Sequence, residues 1–153
     1  MPNPTFTHGH GTESETCTPP QKFMTGAISG LMGGVVFGIM MTFLSMIGMV
    51  AALVSSKSDV VGWVLHLGIS MFIGVIFAFL LQDKLKSIGS GLTAGIGYGI
   101  FWWVLGVLVL MPKKLHMPLF QLNTTTWESL MGHLVFGAIL GSLVVLIPNK
   151  MRK

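Results

Sequence analysis

Two histidines, His66 and His133, stand inside otherwise apolar stretches of this chain. An ionisable side chain in such a stretch marks a functional position by default. Imidazole titrates near neutral pH and ligates metals through a free ring nitrogen. A pair of them can relay protons, contact a polar solute, or hold a metal ion or a b-type haem. The plainer account is a single hydrogen bond from each imidazole to a neighbouring helix. Each histidine opens a similar string, HLGISMFIG from His66 and HLVFGAILG from His133. Side chains four apart share a helical face. His66 therefore lies in line with Ser70, Gly74 and Ala78, and His133 in line with Gly137 and Gly141.

Other residues invite chemistry less strongly. Glu128 could be an acid at the mouth of such a site, but Thr125-Thr126-Trp127-Glu128 also reads as a capping box opening a helix. His8, His10 and Cys17 could bind a soft metal from a polar tail. Met40, Met41, Met46 and Met49 invite copper among the 12 methionines, yet methionine is an ordinary filler of apolar cores. The ordered Met-x3-Met spacing and metal-rich tail expected of a copper channel are missing. No phosphate loop, nucleophile elbow or intramembrane carboxylate pair is present, so the chain reads as a non-enzyme. Asp59, Asp83, Glu128, Glu13 and Glu15 all lie outside the deep apolar runs, which argues against a carboxylate-driven ion pump. No resident cofactor is expected; haem or metal on His66 and His133 is kept as an alternative.

The elements that position the histidines are membrane helices. Hydrophobic residues make up 52% of the 153 and charged residues 9%, against roughly 25% charged in soluble domains. The net charge of +4 would suggest nucleic acid in a soluble protein. Here the basic residues flank apolar runs, so they report orientation instead, and no nucleic-acid partner is expected. Four runs, Met24–Val54, Val60–Leu81, Ile88–Met111 and Ser129–Ile147, each approach or exceed the roughly 20 residues needed to span a bilayer. The fold expected is all-α, a polytopic four-helix protein, with residues 1–22 a disordered polar tail, 23–150 the transmembrane domain and 151–153 a basic end. The first run would extend about 46 Å as one helix, so it must tilt, protrude or break, with Gly48 as the softening point. Pro112 and Pro148 are expected to end the third and fourth helices. SSKSD makes a tight hairpin, and the long 112–127 connection lies along the interface, with Trp102, Trp103 and Trp127 as anchors. Asn123-Thr124-Thr125 fits a glycosylation sequon, relevant only to a eukaryotic secretory pathway. Lys22, Lys84, Lys86, Lys150, Arg152 and Lys153 fall on one side and Lys57, Lys113 and Lys114 on the other. The bias places both termini in the cytoplasm of a cell (inner) membrane.

Small residues recur every fourth position: Gly26, Gly30, Gly34 and Gly38 in the first span, and Gly91, Gly95 and Gly99 in the third. Lipid offers helices little hydrophobic drive to associate, so small residues mark packing faces. SGLMGGVVFGIMM (29–41) aligns without gaps to SGLTAGIGYGIFW (90–102) with six identities. Together with the two histidine strings, this predicts a duplicated helical hairpin, about 22–84 and 88–150, related by an axis along the membrane normal. Such parallel repeats occur in transporters.

The second half resembles the YagU-like family of bacterial inner-membrane proteins. The shared features are His66 with Ser70, Gly91-Leu92-Thr93-Ala94-Gly95, Met117-Pro118-Leu119-Phe120, and Glu128-Ser129-Leu130-Met131-Gly132-His133-Leu134. They span roughly residues 60–140. The resemblance implies a polytopic inner-membrane protein without an established activity, and draws attention to His66 and His133. Two functional classes follow. One is a small transporter or permeation module with a polar site at His66, Ser70 and His133. The other is a structural or accessory subunit, or homo-oligomer, of a larger membrane assembly.

Overall fold

A computed structural model describes residues 17–151 of the chain, with only the backbone from 148 onward. It contains α1 (Pro19–Phe43), α2 (Ile47–Ala52), α3 (Asp59–Leu81), α4 (Ile88–Trp102), α5 (Met111–Lys114) and α6 (Thr124–Met151). A π-helical segment, Trp103–Leu110, joins α4 to α5 without a break, and a 3-10 turn follows α3 at Gln82–Lys84. No strand occurs among the described residues. Four helical stretches are long and apolar enough to cross a membrane: Pro19–Phe43, Asp59–Lys84, Ile88–Lys114 and Thr124–Ile147. The protein is thus an all-α, multi-pass membrane protein. Large apolar side chains such as Val60, Val64, Phe72 and Phe79 point outward, as a lipid-facing surface requires.

Glycines bring the helices together in two seams. A Cβ on Gly26 would fall 2.6 Å from the Gly74 carbonyl oxygen, and Gly30 and Gly34 lie against Ser70. In the other seam, Gly91 meets Gly141, Gly95 meets Gly137 and Gly99 meets the carbonyl of His133. Apart from Gly34, which meets the Ser70 side chain, these are backbone-to-backbone contacts that leave no room for a side chain. The seams do not keep one register. Gly74 sits against Gly26 and Gly30, whereas Gly141 sits against Gly91 and Gly95. In the ungapped alignment Gly91 and Gly95 correspond to Gly30 and Gly34, so the second seam is displaced by one turn.

A third seam joins the hairpins. Antiparallel α1 and α6 exchange large and small residues: the Phe37 ring fills the space over Gly132, and Phe136 covers Gly33. By contrast α3 and α4 meet mainly through Tyr98, whose hydroxyl donates to the Ile73 carbonyl at 3.1 Å and whose ring lies 5.0 Å from Phe77. The bundle is tight on three sides and open on the fourth.

Several expected boundaries move, each for a local reason. The first run does break, but at Ser45 and not at Gly48. Met46 N–H donates to the Met41 carbonyl at 2.7 Å and Ser45 N–H to Thr42 at 3.1 Å, with Ser45 at φ 55°. This is a Schellman ending with serine at its left-handed position. Ser55, at φ 58°, ends α2 the same way through Ser56 N–H to Ala51 and Ser55 N–H to Ala52. Spans one and two do pair as a hairpin with a short turn before α3, but the link also contains α2, which folds back and buries Ile47, Val50 and Ala51, packed against α3. Pro112 does not end the third span, which runs on to Lys114. A proline leaves the carbonyl four residues earlier without a helical donor; here Phe120 N–H reaches back to the Leu108 carbonyl at 3.0 Å. Nor does Pro148 end α6, which continues to Met151. The tail boundary also shifts, since α1 begins at Pro19, preceded by a Thr18 N–H to Gln21 Oε1 bond of 2.9 Å.

Two stability predictions follow from the seams and endings. Gly95→Ala should cost at least about 2 kcal/mol by overpacking, while Gly97→Ala, with open space around it, should stay within about 1 kcal/mol of wild type or stabilise it. Equal effects in a detergent unfolding titration would refute the seam assignment. Ser45→Gly should stabilise by about 0.5–1 kcal/mol, because a left-handed non-glycine residue costs roughly 1–2 kcal/mol and glycine returns part of this as chain entropy. A loss of stability would show that Ser45 serves another purpose.

Candidate functional site

The open side of the bundle holds a cavity of about 560 Å³. Small-molecule sites run from about 300 to 1,000 Å³. Its walls come from the end of α1, from α2, from the middle of α3, from the π-helical segment, from the 112–126 connection and from the first half of α6. The 45–58 and 112–123 connections lie at one end of the bundle, and the cavity belongs to that end. The π-helical segment forms part of its wall. A π turn carries an extra residue per turn and is frequent at functional sites; here Gly106 and Val107 of that segment line the space.

His66, Ser70 and His133 all line this one cavity, together with Ser129. Two different spans thus deliver the predicted polar residues to one place. His66 is 7% exposed, and its Nε2 lies 2.9 Å from the Gly34 carbonyl oxygen. His133 Nδ1 lies 2.8 Å from the carbonyl of Ser129, one turn back on its own helix. A carbonyl only accepts, so each of these nitrogens carries the proton and donates it. The tautomers are then defined: His66 keeps a lone pair on Nδ1 and His133 keeps one on Nε2. The sealed, unpartnered polar side-chain atoms of the described residues are Thr25 Oγ1, Ser29 Oγ, Gln82 Oε1 and Trp102 Nε1. Neither free imidazole nitrogen is among them. Both rings pack edge-on to the Phe37 ring, at centroid distances of 5.3 Å for His66 and 4.8 Å for His133.

The rest of the wall is mainly apolar, and its composition is uneven. Met41, Met46, Met49, Met111 and Met117 all line it. Among the described residues no aspartate or glutamate does, and Lys114 is the one charged side chain, on the 112–126 side with Gln121, Asn123, Thr125 and Thr126. That connection is braced. Trp103 Nε1 donates to the Thr126 carbonyl at 2.8 Å, and the Trp103 and Trp127 rings lie 5.9 Å apart. Trp103 is 8% exposed, so it is an internal strut and not the interface anchor expected of it.

Glu128 is not in the cavity wall, and it does not cap α6. The helix starts at Thr124, and the reciprocal cap is two residues earlier: Thr126 N–H donates to Asn123 Oδ1 at 3.0 Å and Asn123 N–H to Thr126 Oγ1 at 2.8 Å. Asparagine is as good an N-cap as serine or aspartate. Cys17 lies at the other end of the bundle. Its N–H donates to Asp83 Oδ1 at 3.1 Å, its sulfur accepts from Gln82 Nε2 at 3.3 Å, and Asp83 also pairs with Lys22. His8 and His10 fall outside the described residues.

Sequence reasoning missed Ser129, Phe37, Gly33 and Gly132. Ser129 was legible, being four residues before His133 on the same stripe. The Phe37–Gly132 and Gly33–Phe136 exchange had no signal of its own, because it depends on which helices become neighbours. No known protein family, curated protein or solved structure matches this chain.

Proposed function

We propose that the protein is a small transport or permeation module of the cell (inner) membrane, binding its solute in the cavity floored by His66, Ser70, Ser129 and His133. The observation that carries this reading is the convergence of two histidines from separate spans, each with one nitrogen held by a backbone carbonyl and the other free. Imidazoles serving only as helix–helix links would gain nothing from a shared cavity. The resemblance of residues 60–140 to YagU-like proteins supports the same membrane. The basic residues support cytoplasmic termini, which would turn the cavity end outward. The small-residue seams support a glycine zipper within each hairpin and an origin by duplication, followed by a one-turn slip of the second seam. A purely structural role in a larger assembly would instead leave the cavity closed to water.

Access decides between the two roles. In a Cys17→Ser background, His133→Cys should react with a membrane-impermeant thiol reagent added from the 45–58 and 112–123 end. It should not react when the reagent is supplied from the opposite face. Labelling only after denaturation would show a sealed cavity and remove the transport reading.

A further inference from the structure

Two histidines, each with one ring nitrogen not engaged by a backbone carbonyl, and five methionines line the same cavity. We propose that the cavity binds a soft monovalent cation of the copper(I) or silver(I) class, through Nδ1 of His66, Nε2 of His133 and methionine sulfur. This deepens, and rests on, the reading of the cavity as a solute site.

The donor set and its charge select the ion. Thioether and imidazole suit copper(I) and also zinc, while carboxylate, carbonyl and water suit magnesium, calcium and manganese; charge is what separates the monovalent ion from zinc here. Among the described residues the wall holds no carboxylate, so hard divalent ions lack both ligands and counter-charge there. Lys114 adds a positive charge on one side, which opposes a divalent ion twice as strongly as a monovalent one. Metal-ligating histidines almost always donate their other N–H to a carboxylate, carbonyl or water, which fixes the ring and raises its basicity. His66 on Gly34 and His133 on Ser129 already have that arrangement. The methionines are the second strand of the argument. Five of the chain's 12 line this one cavity, and Met41 stands one helical turn beyond Phe37, the ring both imidazoles touch. They come from α1, the α1–α2 junction, α2, α5 and the following loop, so sequence spacing would not reveal the group. A neutral amine or alcohol could also donate to the lone pairs, but it would make no use of sulfur.

The test uses full-length Cys17→Ser protein in mild detergent, which removes the thiol at the other end. Silver(I), copper(I) under reductant and zinc(II) are each added, excess is removed by gel filtration, and retained metal is measured per chain with a competition titration. The expected result is about one silver(I) or copper(I) retained and zinc(II) not competing. Combined His66→Ala and His133→Ala should weaken silver(I) binding roughly tenfold or more. Replacing Met41, Met46 and Met49 with leucine, which keeps the wall apolar, should also weaken it. Should the alanine variant fail to fold, the leucine variant decides. No retained silver(I), retention unchanged by the leucines, or zinc(II) displacing silver(I) would each overturn the inference. Thiol labelling at position 133 separates the two proposals: labelling without silver(I) binding removes only the soft-cation assignment, and no labelling removes both.

Discussion

The absence of a Cβ at a few helical positions governs this bundle. Within lipid, one helix gains little hydrophobic energy from burying against another. What remains is dispersion, which requires atoms in near contact. Gly26, Gly30 and Gly34 let α1 lie on the backbone of α3, and Gly91, Gly95 and Gly99 let α4 lie on α6. With those two pairs and the Phe37–Gly132 exchange made, α3 and α4 do not close on each other along their full length. Tyr98 joins them at one level, and the space beyond it is the cavity. The opening stands beside three tightly packed seams and does not reflect loose packing in general.

The histidines gain their character from the same approach. His66 reaches the Gly34 carbonyl because Gly34 has no side chain in the way and Ser70 packs directly against it. That bond spends the N–H of His66 on backbone and leaves the lone pair free. His133 reaches a similar condition by a different route, within its own helix. The two imidazoles are alike in chemistry although their surroundings are not symmetric. This fits the one-turn offset between the seams, which leaves Gly99, and not Gly95, against the backbone of His133.

The connections at the cavity end are structured by backbone bookkeeping. Pro112 removes a donor inside a continuous helix, and Phe120 supplies one from the loop. The loop is thereby tied to the π-helical segment whose carbonyl it satisfies. Trp103 ties the same segment to the first turn of α6. A proline that reads as a terminator in the sequence therefore acts as the anchor point of the loop that walls the cavity.

Much of this was legible from residues alone. The scarcity of charge and four long apolar runs determine an all-α membrane protein, because unpaired backbone groups cannot face lipid. The four-residue glycine spacing determines which face of each span packs, because that spacing stays on one side of a helix. His66, Ser70 and His133 were visible for the same reason. Helix ends were not, since Ser45, Pro112 and Asn123 take their roles from single backbone hydrogen bonds that composition does not encode. Nor were the neighbours: a stripe says that a face is buried, not against which helix. Only the tertiary arrangement put α1 between α3 and α6, left the α3–α4 side open, and gathered five scattered methionines beside two histidines. Contacts between residues far apart in sequence depend on the whole set of seams closing together, and no local pattern carries that information.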